Sequence, residues 1–408
     1  MWRHTRGAAV WFAAAPAGTR LVHGRREGNF AAQIHDSLMP NTRAEINLDR
    51  LRRNARVFMD AAPSSMDVMA VVKANAYGHG APACVKALEE VGVQYFAVAT
   101  LGEAERLRAS GFRGRLMVFA PPFDEQLPAY ERLDADLNLV SLEAVRVVAS
   151  RYPHLIARAH LKLDTGMTRL GLHPSELGEA EREIRNTGFA LRAVWTHLAL
   201  SSDETGSDHG AHFRLTLAEA GLAGVARHVL ATDGFVDTPG LRHVGDAWCR
   251  IGVGLYGVQS NRKPPADVLD PVMRFTTRVL QVRTVSAGTG VSYHHTWRAP
   301  GETQIATVGA GYADGLPRLL SNRGYVGIVG QTRRFPIVGN ICMDMFMIDI
   351  GRGEGSRPVV VGDKVVMFGD GGPSAEEVAG WAETITYEVC SGIGSRVERI
   401  YVGDESVH

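Results

Sequence analysis

The sequence contains few cysteines, no long hydrophobic run and no excess of charge of either sign, and each shortage excludes a class of protein. The four cysteines, Cys84, Cys249, Cys342 and Cys390, are widely spaced and form no CxxC pair or His/Cys metal-binding spacing. They therefore predict neither a metal site nor a disulfide framework. Lys plus Arg equal Asp plus Glu, at 44 each, so we expect no nucleic-acid partner. No apolar run is long enough to cross a bilayer, so we expect no membrane segment. Unpaired thiols are typical of a reducing cytoplasm.

Residues 1–41 differ in composition from the rest of the chain, and we treat them as an extension that lies outside the fold. Arg3 and Arg6 precede an alanine-rich apolar stretch over 7–17, and no acidic residue precedes Glu27. A secretory signal peptide has this pattern, and an unstructured leader or a start codon placed too early would fit it as well. We expect this segment to be disordered or to have a targeting role. Cytoplasmic location is the first interpretation, and export is the alternative.

From residue 42 to about 275, strand-like and helix-like segments alternate, which predicts a parallel sheet. Roughly 230 residues is close to the usual length of an eight-stranded (β/α) barrel. A doubly wound open sheet is the alternative, but no GxGxxG loop follows the first predicted strand to support it. The predicted strands are 43–48, 69–72, 95–99, 115–119, 157–163, 191–197 and 228–231.

The pattern changes after about residue 275, where short strands separated by glycine-rich turns follow one another. Only the segment 374–381 is clearly helical in its spacing. This part of the chain predicts a compact all-β domain with Greek-key or barrel character. The predicted strands are 278–285, 304–308, 326–329, 334–338, 346–350 and 364–368.

The segment 67–80 carries the strongest chemical signal. Val71 and Val72 favour a strand, and the glycines at the end of the segment terminate it. A buried strand therefore delivers the amine of Lys73 to a rim where loops can hold a ligand. Burial lowers the pKa of such an amine, and the neutral form can form a Schiff base or accept a proton. The alternative is a lysine whose stem is buried and whose ammonium reaches water.

Further candidate residues follow other predicted strands of the barrel. Lys162 and Arg169 follow one strand, and His197 ends the next. Arg250 opens a glycine-bearing turn whose backbone N–H groups could hold a phosphate. In a barrel these residues would meet at the face where the strands end, which is where barrel enzymes place their active sites. Taken alone, His197 is more simply a core histidine with its hydrogen bonds satisfied.

The second domain contributes Tyr293, in the motif 291–297, and Met343, in the motif 339–344. Taken singly, Tyr293 is more simply a half-buried aromatic residue with its hydroxyl bonded, and Met343 is more simply core filling. The order of the motifs along the chain changes that interpretation.

Six motifs occur in an order that resembles alanine racemase, a family of fold-type III pyridoxal-phosphate enzymes. They are Ala70–Gly80, Lys162–Gly171, Arg250–Gly257, Val291–Tyr293, Gly311–Gly315 and Ile341–Asp344. The resemblance implies an N-terminal (β/α)8 TIM-like barrel over residues 42–275 and a C-terminal all-β domain over 276–408. It also implies pyridoxal-phosphate-dependent racemisation of L- and D-alanine in a homodimer with shared active sites. The D-alanine would supply peptidoglycan synthesis.

The resemblance further implies roles for individual residues. Lys73 would hold pyridoxal phosphate covalently and act as one acid–base group, on the D face of the substrate. Tyr293 of the partner subunit would act as the other group, on the L face. Arg169 and Met343 would bind the substrate carboxylate. Lys162 matches the lysine that many members carry as a carbamate. The remaining cofactor contacts would come from Tyr77, His197, Arg250, Gly252, Val253 and Tyr387.

Two positions depart from the family pattern. The family usually has Asn-Ser in the turn after the strand near residue 230, and the serine contacts phosphate, whereas this chain has Thr232 and Asp233. A carboxylate would repel a phosphate. Three arrangements would avoid this repulsion: Thr232 supplies the hydroxyl, the loop is shifted, or other groups hold the phosphate. Asn340 replaces the arginine usual before Ile-Cys-Met-Asp, which leaves the range of substrates open.

Three alternative functions remain at this stage. One is a broader racemase acting on serine or lysine. Another is a different fold-type III enzyme, such as an aldolase or decarboxylase, which would lack a second base like Tyr293. A third is a non-enzymatic cofactor carrier of the single-barrel type, against which the complete C-terminal domain argues.

Overall fold

The structure is a computed structural model that describes residues 42–199, 203–243, 246–258, 263, 265–352 and 356–403. The predictions made for residues 1–41 lie outside these ranges. Over the described ranges, no helix combines the length and the apolar character needed to cross a bilayer.

Short buried strands form a parallel barrel because nearly every residue in them is apolar. After a first strand, β1 (Arg43–Asn47), that belongs to the C-terminal sheet, the barrel is built in the described part of the chain from eight strands. They are β2 (Asp67–Val71), β3 (Tyr95–Val98), β4 (Arg115–Val118), β5 (Leu137–Leu139), β6 (Ala159–Lys162), β7 (Ala193–Trp195), β8 (Arg227–His228) and β9 (Trp248–Ile251).

These strands pair in parallel as two groups of four, β4-β3-β2-β9 and β5-β6-β7-β8. Single parallel bridges, Met117 with Asp136 and Ala231 with Arg250, join the groups at both ends. The sheet therefore closes on itself, and the predicted TIM-like barrel is confirmed. Closure brings the carboxyl ends of all the strands to one face.

Helices follow the strands where capping residues and an apolar stripe favour them. The first helix buries Leu51, Ala55 and Phe58 on one face, and the side chain of Asn47 accepts a hydrogen bond from Arg50 N at its start. The helices before residue 260 are α1 (Leu48–Ala61), α2 (Ala81–Glu89), α3 (Leu101–Ala109), α4 (Leu127–Arg132), α5 (Leu142–Arg151), α6 (Leu177–Asn186), α7 (Asp203–Glu219) and α8 (Thr232–Asp237).

The C-terminal part is mainly antiparallel β structure, as predicted. Its main sheet has the order β15-β14-β17-β10-β1-β18, and β13 and β16 extend from the second half of β10. The elements are β10 (Met273–Val285), β11 (Gly290–Val291), β12 (Trp297–Arg298), β13 (Thr303–Val308), β14 (Tyr325–Ile328), β15 (Phe335–Pro336), β16 (Phe346–Gly351), β17 (Lys364–Phe368), α9 (Ala375–Trp381), α10 (Thr386–Ser391) and β18 (Glu398–Val402).

Three details of the sequence interpretation were wrong. The strand β1 does not open the barrel, because it pairs antiparallel with β10 and parallel with β18. A second helix, α10, follows the one predicted at 374–381. Arg250 does not open a turn, since it lies within β9 and the chain turns only after Ile251. Pairing between strands that are distant in sequence leaves no local pattern, which explains the misplacement of β1.

Candidate active site

A cavity of about 570 Å³ opens at the carboxyl ends of the barrel strands. Most of the predicted site residues line it, and the structure therefore brings together motifs that are far apart in sequence. These residues are Lys73, Tyr77, Lys162, Arg169, His197, Arg250, Gly252, Val253 and Tyr387. Sequence reasoning missed Asn138 and Trp195, which also line the cavity.

Lys73 is held by an unusual left-handed turn that follows β2. Each residue from Ala74 to Tyr77 has a positive φ of 50° to 56°, a conformation that costs free energy for residues other than glycine. Two side chains stabilise the turn. Glu103 Oε1 accepts a hydrogen bond from Ala74 N at 2.6 Å. His79 Nδ1 lies 3.0 Å from the carbonyl oxygens of both Ala76 and Tyr77. These contacts within the same chain thus fix the direction in which Lys73 projects.

The surroundings of Lys73 favour the neutral amine. Burial lowers its pKa, the positive charge of Arg169 lowers it further, and the carboxylate of Glu103 opposes this shift. A lysine with a lowered pKa has a larger nucleophilic and basic fraction at neutral pH.

Arg250 is a buried cation in the cavity wall, with 3% of its surface exposed. It donates to the carbonyl oxygens of His228 at 2.7 Å and of Thr196 and Val229 at 2.8 Å each. Burial lowers its pKa to about 10, so it still carries its proton at neutral pH. His197 Nδ1 lies 3.4 Å from Arg250 Nη2. Burial, together with Arg250, lowers the pKa of His197 to about 3, so this imidazole is neutral.

A chain of buried hydrogen bonds leads from Arg250 into the barrel interior. A guanidinium can only donate, so Arg250 Nη1 donates to His228 Nδ1 at 2.8 Å, and His228 Nε2 then donates to His160 Nδ1 at 2.8 Å. His160 Nε2 lies 2.7 Å from the hydroxyl of Tyr95, which donates to Asp136. Burial lowers the pKa of both histidines. This relay, whose direction follows from the donor chemistry, links the cation to a carboxylate at the start of β5.

Lys162 is a second amine in the cavity, with 2% of its surface exposed. Its Nζ lies 4.6 Å from the centroid of the Trp195 ring. Burial lowers its pKa to about 8, and the charges of Arg250 and Arg169 contribute to the shift. Asn138 Oδ1 accepts a hydrogen bond from Trp195 Nε1 at 3.0 Å, which fixes the ring beside the amine.

One end of the cavity is lined by hydroxyl groups and a carboxyl group. Gly252 N donates to Thr232 Oγ1 at 3.0 Å. A Cβ atom at Gly252 would lie 2.5 Å from the hydroxyl oxygen of Tyr77, so only glycine leaves that hydroxyl its place. The hydroxyl of Tyr387 donates to Asp233 Oδ2 at 3.3 Å. Both residues that depart from the family pattern there, Thr232 and Asp233, therefore line the cavity.

Tyr293 and Met343 are absent from the described lining of this cavity. Their exposed fractions are 68% and 52%. Tyr293 lies between β11 and β12, in a turn where Ser292 and His294 have φ of 62° and 64°. Asn340 Nδ2 donates to the carbonyl oxygen of Tyr293 at 2.8 Å. The turn is thus held in one conformation although its aromatic ring is open to solvent.

The closed parallel barrel, the β domain and a cavity at the carboxyl ends of the strands define the class of (β/α)-barrel enzymes. Two adjacent family models match the chain, the alanine racemase N-terminal domain over residues 46–260 and the alanine racemase C-terminal domain over 272–401. The chain therefore belongs to the alanine racemase family, and the predicted family is confirmed.

Individual proteins agree with this assignment. The chain is 34% identical to the alanine racemase of Desulforamulus reducens over 372 residues, which cover 88% of this chain and 98% of that protein. The crystal structure of alanine racemase from D-cycloserine-producing Streptomyces lavendulae has a TM-score of 0.79 and 35% identity, and the match covers 90% of this chain and 98% of that one. An alanine racemase structure from Bartonella henselae, with covalently bound pyridoxal phosphate, has a TM-score of 0.79 and 28% identity, with coverage of 89% and 100%.

Proposed function

We propose that this protein interconverts L- and D-alanine, with pyridoxal phosphate as cofactor and with Lys73 and a partner subunit's Tyr293 as the two acid–base groups. One observation carries the proposal. The predicted residues that one chain would supply surround a single cavity, whereas Tyr293 and Met343, predicted to act in the other subunit, are exposed outside its lining.

The residues around the cavity fit pyridoxal phosphate. Lys73 offers an amine with a lowered pKa for covalent attachment, and the missing side chain at Gly252 allows the Tyr77 hydroxyl to take its place in the cavity lining. A cavity of about 570 Å³ is within the usual range for a small-molecule site. Tyr77, Gly252, Val253 and Tyr387 would hold the phosphate, and His197 and Arg250 would face the ring. When bound, the cofactor would delocalise the negative charge that remains after the α-proton is removed.

Two bases on opposite faces of the α-carbon account for racemisation. A single base would tend to return the proton to the face from which it came, so the second face needs its own donor. Lys73 would serve the D face, and Tyr293 would serve the L face. A tyrosine with an ordinary pKa near 10 is a weak base at neutral pH. The guanidinium of Arg169, whose charge already lowers the pKa of Lys73, would stabilise the tyrosinate in the same way.

Arg250 would limit side reactions by keeping its own proton. Its pKa of about 10 leaves it a hydrogen-bond donor at neutral pH, and the negative charge of Asp246 opposes the lowering of this pKa by burial. Arg169 and the backbone N–H of Met343 would bind the substrate carboxylate.

Exchange of the α-hydrogen in deuterated water tests the two-base assignment. With Tyr293→Phe, Lys73 would still exchange the α-hydrogen of D-alanine, whereas exchange of L-alanine and racemisation would fall by about 10²- to 10⁴-fold. NMR detection of deuterium incorporation into each enantiomer measures this difference. The matched control is Tyr325→Phe, another exposed tyrosine, which lies on β14 outside the six motifs. Equal loss of exchange from both enantiomers in Tyr293→Phe would contradict the assignment.

We also propose that Lys162 carries a carbamate. Since its pKa is about 8, a substantial fraction of the amine is neutral near that pH and can attack carbon dioxide. The nitrogen–carbon bond that forms releases one proton and creates an anion near Arg250 and Arg169. Protein prepared with ¹³C-labelled bicarbonate should give a carbamate NMR signal that is absent from Lys162→Met. A wild-type spectrum without that signal would exclude the modification.

The cytoplasm is the proposed location, with peptidoglycan synthesis as the process that consumes D-alanine. The thiols of Cys84, Cys249 and Cys390 are buried and unpaired, which suits a reducing compartment. Fractionation of the native organism with an antibody against the protein tests this location, since recovery outside the cytoplasm would exclude it.

A further inference from the structure

Asp233 places an acidic side chain where the cavity is otherwise lined by neutral donors. Its Oδ2 accepts a hydrogen bond from the Tyr387 hydroxyl, 3.3 Å away on α10. The ring of Tyr77, from the left-handed turn, lies on the other side of Tyr387, with ring centroids 6.1 Å apart. Gly252 and Val253 complete this end of the cavity. Among the residues that the structure describes, no ion pair of Asp233 is observed.

No positive charge in the described part of the chain contributes to the pKa of Asp233, so no cation there offsets the cost of burying an ionised carboxylate. Burial is the main reason why its pKa is raised, Asp237 on the same helix raises it further, and the hydrogen bond from Tyr387 opposes the shift. The nearby hydroxyls of Tyr77 and Tyr387 are themselves held neutral, because burial and the charge of Asp233 raise the pKa of each phenol.

A phosphate dianion at this end of the cavity would meet a like charge if Asp233 were ionised. A protonated carboxyl group has the opposite effect, because its O–H donates a hydrogen bond to a phosphate oxygen. The same side chain therefore either repels or binds a phosphate, according to whether it carries a proton.

We propose that binding of a phosphate monoester in this cavity is coupled to protonation of Asp233, so that the pyridoxal phosphate of the proposed function binds more tightly as the pH falls. Asp233 takes one proton from solvent when the phosphate enters and donates it in a hydrogen bond. This inference rests on the proposed function, since that function places the phosphate beside Tyr77, Gly252 and Tyr387.

The sign of the pH dependence follows from linkage. The bound phosphate favours protonated Asp233, so the affinity is fully present while the carboxyl group stays protonated. It is lost as the pH rises and the free protein releases the proton that the complex retains. Over that range the dissociation constant rises about tenfold per pH unit.

Calorimetry with the full-length protein freed of cofactor tests the coupling. The ligand is pyridoxine 5′-phosphate, which has no aldehyde and so cannot react with Lys73, and unphosphorylated pyridoxine is its control. Above about pH 7, where the free phosphate is a dianion, the wild-type dissociation constant should rise about tenfold per pH unit relative to Asp233→Asn. Buffers with different ionisation enthalpies should report uptake of about one more proton by the wild type than by the variant.

The two variants separate the possible failures. Asp233→Asn keeps the shape of the side chain without its ionisation, and Asp233→Ser replaces it with a small hydroxyl. Parallel pH curves for the wild type and both variants, with pyridoxine 5′-phosphate still preferred over pyridoxine, would overturn the coupling and leave the proposed function intact. Absence of any preference for the phosphorylated ligand in all three proteins would overturn the phosphate site, and with it both proposals.

Discussion

The Lys73 cavity and the Tyr293 turn differ in the exposure of their functional side chains. Around the cavity, Lys162 and Arg250 are almost completely buried, and the relay from Arg250 to Asp136 lies within one chain. Around Tyr293 the backbone is held by two side-chain hydrogen bonds, from Ser292 Oγ to the carbonyl oxygen of Asn340 and from Asn340 Nδ2 to that of Tyr293, yet the ring is two-thirds exposed. A rigid turn that presents an exposed aromatic ring is prepared for contact with another surface, so the comparison supports a site completed by a second copy of the chain.

Mixing two inactive variants gives the largest effect expected from this comparison. Lys73→Ala and Tyr293→Phe should each be almost inactive as homodimers. After subunit exchange in equal amounts, half of the dimers are mixed, and one of the two sites in each mixed dimer contains both wild-type residues. Racemase activity should therefore recover to about one quarter of the wild-type value, as expected for a two-fold symmetric dimer with shared sites.

The control for this mixing experiment is a double variant, Lys73→Ala with Tyr293→Phe, mixed with either single variant. No mixed dimer then contains a complete site, and no recovery is expected. If the two single variants also failed to recover activity although subunit exchange was demonstrated by mass labelling, the two residues would not be shared between subunits.

A matched pair of glycine substitutions should give a smaller effect that separates the two regions. A Cβ atom at Gly252 would lie 2.5 Å from the Tyr77 hydroxyl, whereas one at Gly311 would lie 2.2 Å from the carbonyl oxygen of Met343. Gly252→Ala should weaken cofactor binding, and Gly311→Ala should displace Met343 and lower turnover while cofactor binding is kept. Misplacement by about 1 Å can reduce the rate on the order of 10²-fold.

Cofactor titration by absorbance and steady-state kinetics of the saturated enzymes measure the two effects. Gly380, whose added Cβ would contact nothing within 4 Å, provides the control Gly380→Ala. The distinction between the regions would be lost if both Gly252→Ala and Gly311→Ala weakened cofactor binding equally.

The sequence predicted the barrel best where apolar residues run without interruption. The strands β3 and β4 end within one residue of their predicted ends, because runs such as Tyr95–Val98 are buried on both sides. The strand β5 has three residues and β8 has two, and neither is long enough to show a period. The glycines that follow Ile251 led us to predict a turn that begins at Arg250, and the strand β9 was therefore not predicted.

The site residues that could be predicted from the sequence also differ physically from those that could not. Residues with distinctive neighbours, such as Lys73 before a glycine-rich loop, could be identified from motifs. The relay residues His160 and His228 could not, because each is a lone histidine in a short strand and its partners are contributed by other strands. Asn138 and Trp195 were missed for the same reason, since only closure of the barrel brings them to the cavity.

The position of β1 has a consequence for the order in which the protein is made. This strand is synthesised before any strand of the barrel, yet both of its neighbours, β10 and β18, follow the barrel in the chain. At ribosomal speeds, on the order of tens of seconds separate β1 from β18. The apolar residues Ala44 and Ile46, completely buried in the finished fold, lack β10 until the barrel has been synthesised and lack β18 until the end of that interval. We therefore expect the yield of native protein to depend on translation rate and chaperone supply.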